Sequence, residues 1–168
     1  MKKFVLPLIF VCFAFILNAQ SEFTQPGISI GNVVEDLEKS VKFYTEVIGM
    51  TKTGGFSVDK ENAKELGLTD KYDLNVTVLK LEDSPNAPEW KLMSIGTKAN
   101  HPKQKWMSDD TGMQYITLFV NHLNPFIERC KQHNVKILSD EPSTLADGRS
   151  FILVQDPDGT FIELIGPK

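Results

Sequence analysis

Glu163 is the acidic residue of this sequence whose surroundings best suit proton chemistry. Two apolar residues flank it on each side: Phe161, Ile162, Leu164 and Ile165. Burial among such neighbours disfavours the charged form of a carboxyl group, so the sequence predicts a raised pKa for Glu163. A carboxyl group tuned in this way can act as a general base near neutral pH. Glu163 is therefore the candidate catalytic residue.

The histidines and cysteines do not form a comparable cluster. His101 falls in a polar stretch, while His122 precedes a predicted helix and His133 ends it, so surface or capping roles are favoured over metal ligation. Cys12 lies in an apolar N-terminal run typical of an export signal, which leaves Cys130 without a disulfide partner after processing. The sequence also lacks nucleophile-elbow, zincin, P-loop and dinucleotide-binding motifs. Most hydrolases and nucleotide-dependent enzymes are thereby excluded.

The N-terminus has the three parts of an export signal. Lys2 and Lys3 supply positive charge, residues 4–17 form an apolar run without charged side chains, and polarity returns at Asn18. The run is shorter than the roughly 20 residues that span a bilayer. We therefore predict a signal peptide over residues 1–19, a periplasmic or extracellular (secreted) mature protein, and no membrane anchor after signal removal.

Composition and charge restrict the partners. The chain has 168 residues, is 41% hydrophobic and 24% charged, and carries a net charge of -4. These values are typical of a folded globular domain. Because the net charge is negative, binding to a nucleic-acid backbone is disfavoured. We expect a small-molecule ligand and no nucleic acid.

The first half of the processed chain reads as a strand, a helix and three more strands. A strand over residues 27–34 leads into a helix over residues 36–48, with Asp36 as the N-cap and Gly49 as the left-handed stop. Leu37, Val41 and Tyr44 share the apolar face of that helix. Further strands are predicted at residues 50–53, 74–82 and 90–95, with a short helix at 59–66.

The second half repeats this order. Strands are predicted at residues 113–120, 135–138, 150–155 and 160–165, with a helix at 123–133 and a tight turn at 156–159. Val120 corresponds to Val34 at an offset of 86 residues. The prediction is an α+β protein with two βαβββ modules, residues 27–96 and 113–166, forming a curved mixed sheet with a central cleft. A polar linker at 97–111 joins the modules, and a ligand is expected in the cleft between them.

Two separated stretches are similar to a known family. Residues 36–50 resemble the first-helix signature of the vicinal oxygen chelate superfamily, which includes glyoxalase I, bleomycin and fosfomycin resistance proteins and extradiol dioxygenases. Residues 151–164, which contain the turn Asp156-Pro157-Asp158-Gly159, resemble its closing strands. The resemblance covers residues 27–166. It implies paired βαβββ modules around one cleft, often with a divalent metal inside.

The resemblance also implies four metal-ligand positions, one on the first and one on the last strand of each module. Family members fill them with His, Gln or Glu. In this sequence the positions fall on Ser29, Met93, Tyr115 and Glu163, so Glu163 alone keeps the family's ligand type. Because a single carboxylate holds a divalent ion poorly, we expect no bound metal and no other cofactor. A structural alternative to catalysis is a hydrogen bond from Ser29 or Tyr115 to Glu163.

Two details of this assignment depend on strand register. The equivalence of Met93 and Glu163 comes from aligning Gly96 with Gly166. Gln114 would take a ligand position if the register slipped by one residue, although such a slip turns the side chain to the other face. We take Ser29, Met93, Gln114 and Tyr115 as the candidate ligand-binding residues.

The sequence leaves three functions open. The first is an exported protein of this superfamily that binds a small molecule in the inter-module cleft without the full metal site. The alternative is a glyoxalase-like lyase or isomerase acting on a carbonyl or vicinal-oxygen substrate, with Glu163 as base or metal ligand. The third is an interaction module, and a homodimer is compatible with the family resemblance. Fold resemblance does not choose among them.

Overall fold

The computed structural model describes residues 23–25, 27–98, 102–139 and 142–168. The predicted signal peptide and His101 lie outside the described residues. Among the described residues we find no helix with the length and hydropathy needed to span a bilayer.

The first module contains four strands and two helices. In chain order they are β1 (Ser29–Val33), α1 (Leu37–Lys42), a π-helical continuation of α1 (Phe43–Ile48), β2 (Thr51–Val58), α2 (Lys60–Glu65), β3 (Leu74–Lys80) and β4 (Glu89–Ile95). The sheet order is β1-β4-β3-β2, with β1 parallel to β4 and the other pairs antiparallel.

Local sequence signals explain where the first helix begins and ends. The Asp36 carboxylate accepts a hydrogen bond from the backbone N–H of Lys39 at 3.0 Å, and Gly49 ends the helix with φ of 88°. Both residues act as predicted, because the carboxylate satisfies a free helical N–H and glycine tolerates positive φ. The π-helical half was not predicted. Tyr44 and Ile48 are buried on this half.

The second module has the same strand order as the first. Its elements are β5 (Tyr115–Phe119), α3 (Asn124–Gln132), β6 (Ser143–Thr144), β7 (Ser150–Gln155) and β8 (Phe161–Gly166). The sheet order is β5-β8-β7-β6, with β5 parallel to β8. The α+β class with two mixed four-stranded sheets is therefore confirmed.

The strand predicted at residues 135–138 is wrong. In this segment Leu138 alone reaches β7, through a hydrogen bond from its N–H to the carbonyl of Leu153 at 2.8 Å. The outer edge of β7 is paired instead by Ser143–Thr144. β-branched composition favours an extended chain, but a strand also needs a partner, and the partner is fixed by residues distant in sequence.

One hydrophobic core joins the two modules. It includes residues from both sheets and from the helices between them, among them Val34, Tyr44, Leu79, Leu92, Leu118, Leu123, Ile152 and Leu164. Each sheet contributes alternate side chains to this core. The candidate residues Ser29, Tyr115 and Glu163 point away from it, because they occupy the other set of alternating positions.

The turn between β7 and β8 fastens the second module to the first. The Tyr44 hydroxyl donates to Asp156 Oδ2 at 2.7 Å, and the Ser40 hydroxyl donates to Asp158 Oδ2 at 2.9 Å. The backbone N–H of Glu35 donates to Asp158 Oδ1 at 2.8 Å. These bonds connect residues more than 100 positions apart. The turn therefore orients the modules relative to each other.

Asp156 is buried at this junction and its hydrogen-bonding capacity is fully used. Besides the bond from Tyr44, its Oδ2 accepts from Asn32 Nδ2 at 3.4 Å, and its Oδ1 accepts from the backbone N–H groups of Asp158 and Thr160 at 2.9 and 2.8 Å. Burial raises the pKa of the Asp156 carboxyl above its ordinary value despite these donors. Burial, together with the charge of Asp156, raises the pKa of Tyr44 well above its ordinary value, so Tyr44 keeps its proton and remains a donor.

Candidate functional site

The strand pairing gives the structural equivalence of the two modules. Val34 N–H donates to the carbonyl of Met93 at 2.9 Å, and its counterpart Val120 N–H donates to the carbonyl of Ile165 at 2.8 Å. Met93 therefore corresponds to Ile165 and not to Glu163. The predicted pairing of Met93 with Glu163 is wrong by two residues.

Lys91 is the true counterpart of Glu163. Gly31 pairs with Lys91 across β1 and β4, and Thr117 pairs with Glu163 across β5 and β8. The position that carries a carboxylate in the second module thus carries an ammonium group in the first. Sequence reasoning missed Lys91.

The alignment of Gly96 with Gly166 failed because the two glycines have different surroundings in their modules. A side chain at Gly166 would collide with the carbonyl oxygen of Val120, whereas one at Gly96 would meet the ring of Tyr72 at 3.5 Å. Gly166 belongs to the strand and approaches the chain after β5, while Gly96 follows the end of β4. Matching residue types does not imply matching places in the two modules.

Ser29 belongs to a polar cluster on β1, β3 and β4. Its hydroxyl donates to Glu89 Oε2 at 2.8 Å, Lys91 Nζ lies 3.1 Å from the same oxygen, and Lys80 Nζ lies 3.9 Å from Glu89 Oε1. The Ser29 hydrogen bond, followed by Lys91, lowers the pKa of the Glu89 carboxyl. Glu89 was not predicted as a site residue, although it directly precedes a predicted strand.

Glu163 has a different polar partner from those expected. The Thr117 hydroxyl donates to Glu163 Oε2 at 2.5 Å, because the two residues face each other on neighbouring parallel strands. The expected donors were Ser29 or Tyr115, and that expectation is wrong. The Tyr115 side chain is about half exposed, and Ser29 is committed to Glu89.

Gln114 holds the linker against the second module. Its Oε1 accepts from Gln104 Nε2 at 2.9 Å, and its own Nε2 donates to the carbonyl of Thr111 at 3.0 Å. Gln155 Nε2 donates to the carbonyl of Gln104 at 3.1 Å, which adds a second attachment. Through these bonds Gln114 positions the linker on the second module.

A cavity of about 330 Å³ lies between the modules. Its walls are mostly apolar and come from both halves of the chain, including Ile30, Met50, Leu79, Trp90, Ile116 and Leu118. Lys80, Glu89 and Thr117 provide its polar side chains. Ser29, Met93, Tyr115 and Glu163 do not line it, but Glu89 and Thr117, the hydrogen-bond partners of Ser29 and Glu163, do.

The residues at the four family positions do not suit a divalent cation. Two hydroxyl groups (Ser29 and Tyr115), one carboxylate (Glu163) and, with the corrected register, the Lys91 ammonium group occupy them. An ammonium group is a donor with a positive charge and cannot ligate a cation. Within the described residues, no three His, Cys, Asp or Glu side chains lie close enough together to hold a metal ion.

Two mixed sheets with the same strand order and a cavity at their junction define a paired βαβββ protein. The family model of the Glyoxalase/Bleomycin resistance protein/Dioxygenase superfamily matches residues 29–164. The chain belongs to this superfamily, as its signature stretches indicated.

Solved structures share the fold at low sequence identity. A glyoxalase family protein from Bacillus cereus has a TM-score of 0.71 and 17% identity, over 88% of this chain and 97% of that one. Leishmania major glyoxalase I, described as trypanothione-dependent, has a TM-score of 0.62 and 23% identity, over 85% and 87%. Glyoxalase I from Zea mays has a TM-score of 0.63 and 21% identity, over 83% of this chain and 43% of that one.

Proposed function

We propose that this protein is exported and binds a small, largely apolar molecule in the inter-module cavity, without the family's full metal site. The observation that carries this proposal is the cavity of about 330 Å³ with Glu89 and Thr117 on its wall. Pockets for small molecules range from about 300 to 1,000 Å³, with apolar walls and a few polar groups that orient the ligand. This cavity lies at the lower end of that range.

The polar groups support a ligand with one hydrogen-bonding end. Lys80 is shielded, with 13% of its side chain exposed, and its ammonium group also donates to the carbonyl of Ser84 at 3.1 Å. Glu89 is an acceptor held by Ser29 and Lys91. A hydroxyl group on the ligand can donate to Glu89 and accept from Lys80, and a carbonyl group can accept from Lys80, while the rest of the molecule contacts the apolar wall.

The lyase or isomerase alternative has less support. Glu163 would have to serve as base or metal ligand, yet one of its oxygens accepts from Thr117 and its side chain does not line the cavity. The position of the first module that corresponds to Glu163 carries Lys91, which cannot act as a base or a ligand while it is protonated. We therefore favour binding over catalysis at these positions.

The test uses Trp90 as the reporter. Trp90 lines the cavity, and Trp106→Phe leaves it as the sole tryptophan. Titration with 1-naphthol should then change Trp90 fluorescence in a saturable manner. Adding Ile116→Phe fills the cavity and should weaken binding about tenfold or more.

Val33→Phe is the matched control, since it adds a ring on β1, at a residue that does not line the cavity. It should leave the affinity within about twofold. Equal affinities of the Ile116→Phe and Val33→Phe proteins would refute the binding site. Elemental analysis of the purified protein tests the metal-free part, which a stoichiometric transition metal would contradict. Light scattering of the same preparation tests whether the protein forms the homodimer with which the family resemblance is compatible.

A further inference from the structure

A second groove, of about 480 Å³, lies on the helical side of the module junction. It is bounded by the end of α1 and its π-helical continuation, by the segment that follows α3, and by the turn after β7. It shares no lining residue with the inter-module cavity and contains none of the candidate site residues. A ligand bound here would be independent of the proposed function.

Positive charge is concentrated at this groove. Its lining includes Lys39, Lys42 and Lys136. Lys42 Nζ lies 3.9 Å from an oxygen of Glu46, and Nδ1 of His133, which also lines the groove, lies 3.5 Å from the same oxygen. Lys39 and Lys136 are exposed and form no ion pair with any residue that the structure describes.

The carboxylate in the groove's lining does not neutralise the lysines. That carboxylate is Asp156, which is buried and turned toward the junction. It accepts from the Tyr44 hydroxyl through Oδ2 and from two backbone N–H groups through Oδ1. With its oxygens engaged on the inner side, Asp156 forms no ion pair with Lys39, Lys42 or Lys136 among the described residues.

The floor between the charged groups is apolar. Phe43 and Val47 of the π-helical turn form one side of the floor, and Val135 and Leu138 of the segment after α3 form the other side. π-helical turns within α-helices are frequent at functional sites, and here the turn supplies two residues of the floor. Asn134, also in the lining, has a φ of 55°, the left-handed conformation that ends α3 and turns the chain along the groove.

We propose that this groove binds an amphipathic organic anion, with its charged group at Lys39 and Lys136 and its apolar part on Phe43, Val47 and Val135. Sulfonates, carboxylates and phosphates share the required chemistry, because a lysine ammonium group recognises negative charge without a fixed geometry. An apolar surface flanked by such groups discriminates against small inorganic anions, which gain nothing from the floor.

The experiment compares an anionic probe with its neutral analogue on the full processed chain. The anion is 1-anilinonaphthalene-8-sulfonate, and the analogue is N-phenyl-1-naphthylamine, which lacks the sulfonate. The double variant Lys39→Ser/Lys136→Ser removes both free ammonium groups. The control Lys64→Ser/Lys103→Ser removes the same charge from two exposed lysines outside the groove.

We expect the Lys39→Ser/Lys136→Ser protein to bind the sulfonate about tenfold more weakly than the control protein, with equal binding of the neutral analogue. Octanoate should displace the sulfonate, and octanol should not. Equal affinities in the two double variants would overturn the proposal, as would loss of sulfonate binding on filling the other cavity with Ile116→Phe. Thermal unfolding of each variant verifies that the exposed substitutions leave the fold intact.

Discussion

Removal of the Tyr44 hydroxyl tests whether the turn after β7 fastens the two modules together. In the Tyr44→Phe protein, Asp156 loses the donor that lies 2.7 Å from its Oδ2, and that oxygen keeps only the longer bond from Asn32 Nδ2 at 3.4 Å, while the backbone donors at Oδ1 remain. A hydrogen bond to a charged group contributes about 1.5 to 3 kcal/mol when a buried partner is left behind. We therefore expect the free energy of unfolding to fall by about 2 kcal/mol at pH 7.

The assay is urea unfolding followed by tryptophan fluorescence, together with thermal unfolding. For a domain of this size the loss corresponds to a fall in Tm of about 4 to 8 °C. Tyr115→Phe is the control, because the Tyr115 side chain is about half exposed, and it should change stability by less than about 0.5 kcal/mol. If Tyr44→Phe matches that control, the turn does not fasten the modules as described.

The pH dependence gives the same prediction a second, independent check. Burial raises the folded-state pKa of Asp156 above its unfolded value, so its protonation favours folding. That contribution is complete below the unfolded pKa and is lost as pH rises through the folded pKa. The Tyr44 bond favours the ionised form, so the cost of Tyr44→Phe should shrink as pH falls through the folded pKa of Asp156. A cost that does not change with pH would contradict this explanation.

Two further substitutions test the packing between and within the modules. Gly166→Ala should cost about 1 to 3 kcal/mol in urea unfolding, because its Cβ would collide with the Val120 carbonyl oxygen. Gly54→Ala is the control, with no atom within 4 Å of the added Cβ, and an equal loss in both would contradict the clash. Arg129→Ala should cost about 1 to 2 kcal/mol, since Nε donates to the Val47 carbonyl at 2.7 Å and the guanidinium lies 4.3 Å from the Phe126 ring centroid. Arg129→Lys should not restore stability, because lysine lacks the planar group that makes both contacts.

Elements with local signals could be predicted from the sequence. Asp36 and Gly49 mark the ends of a helix through their own conformational chemistry, and Gly159 adopts φ of 103° in the predicted tight turn. Such features depend on a few neighbouring residues. The short strand at Ser143–Thr144 has no comparable signal, because it exists through its pairing with Phe151 and Ser150. Its position is a property of the sheet.

The candidate site could be predicted only in part, because each of its contacts joins residues distant in sequence. The motif located Glu163 on the closing strand, but its donor Thr117 is 46 positions away and follows from parallel pairing. Lys91 could be found only by extending the register from Val34 and Val120 into their partner strands. The strand pairing in the two sheets identifies these partners, and residue types alone do not.

The corrected register changes the interpretation of the four positions that the family resemblance assigns to metal ligands. If Met93 were the counterpart of Glu163, an uncharged thioether would occupy the fourth position. With Lys91 there, the first module instead carries a positive charge that Glu89 balances within its own strand, while Glu163 is bonded by Thr117 in the second module. Lys91 and Glu163 therefore each have a polar partner within their own module, and neither needs a bound ion as a partner. Glu89 and Thr117, which bind Lys91 and Glu163, also line the inter-module cavity, and for this reason a search for the ligand should begin at the cavity and not at the four positions implied by the resemblance.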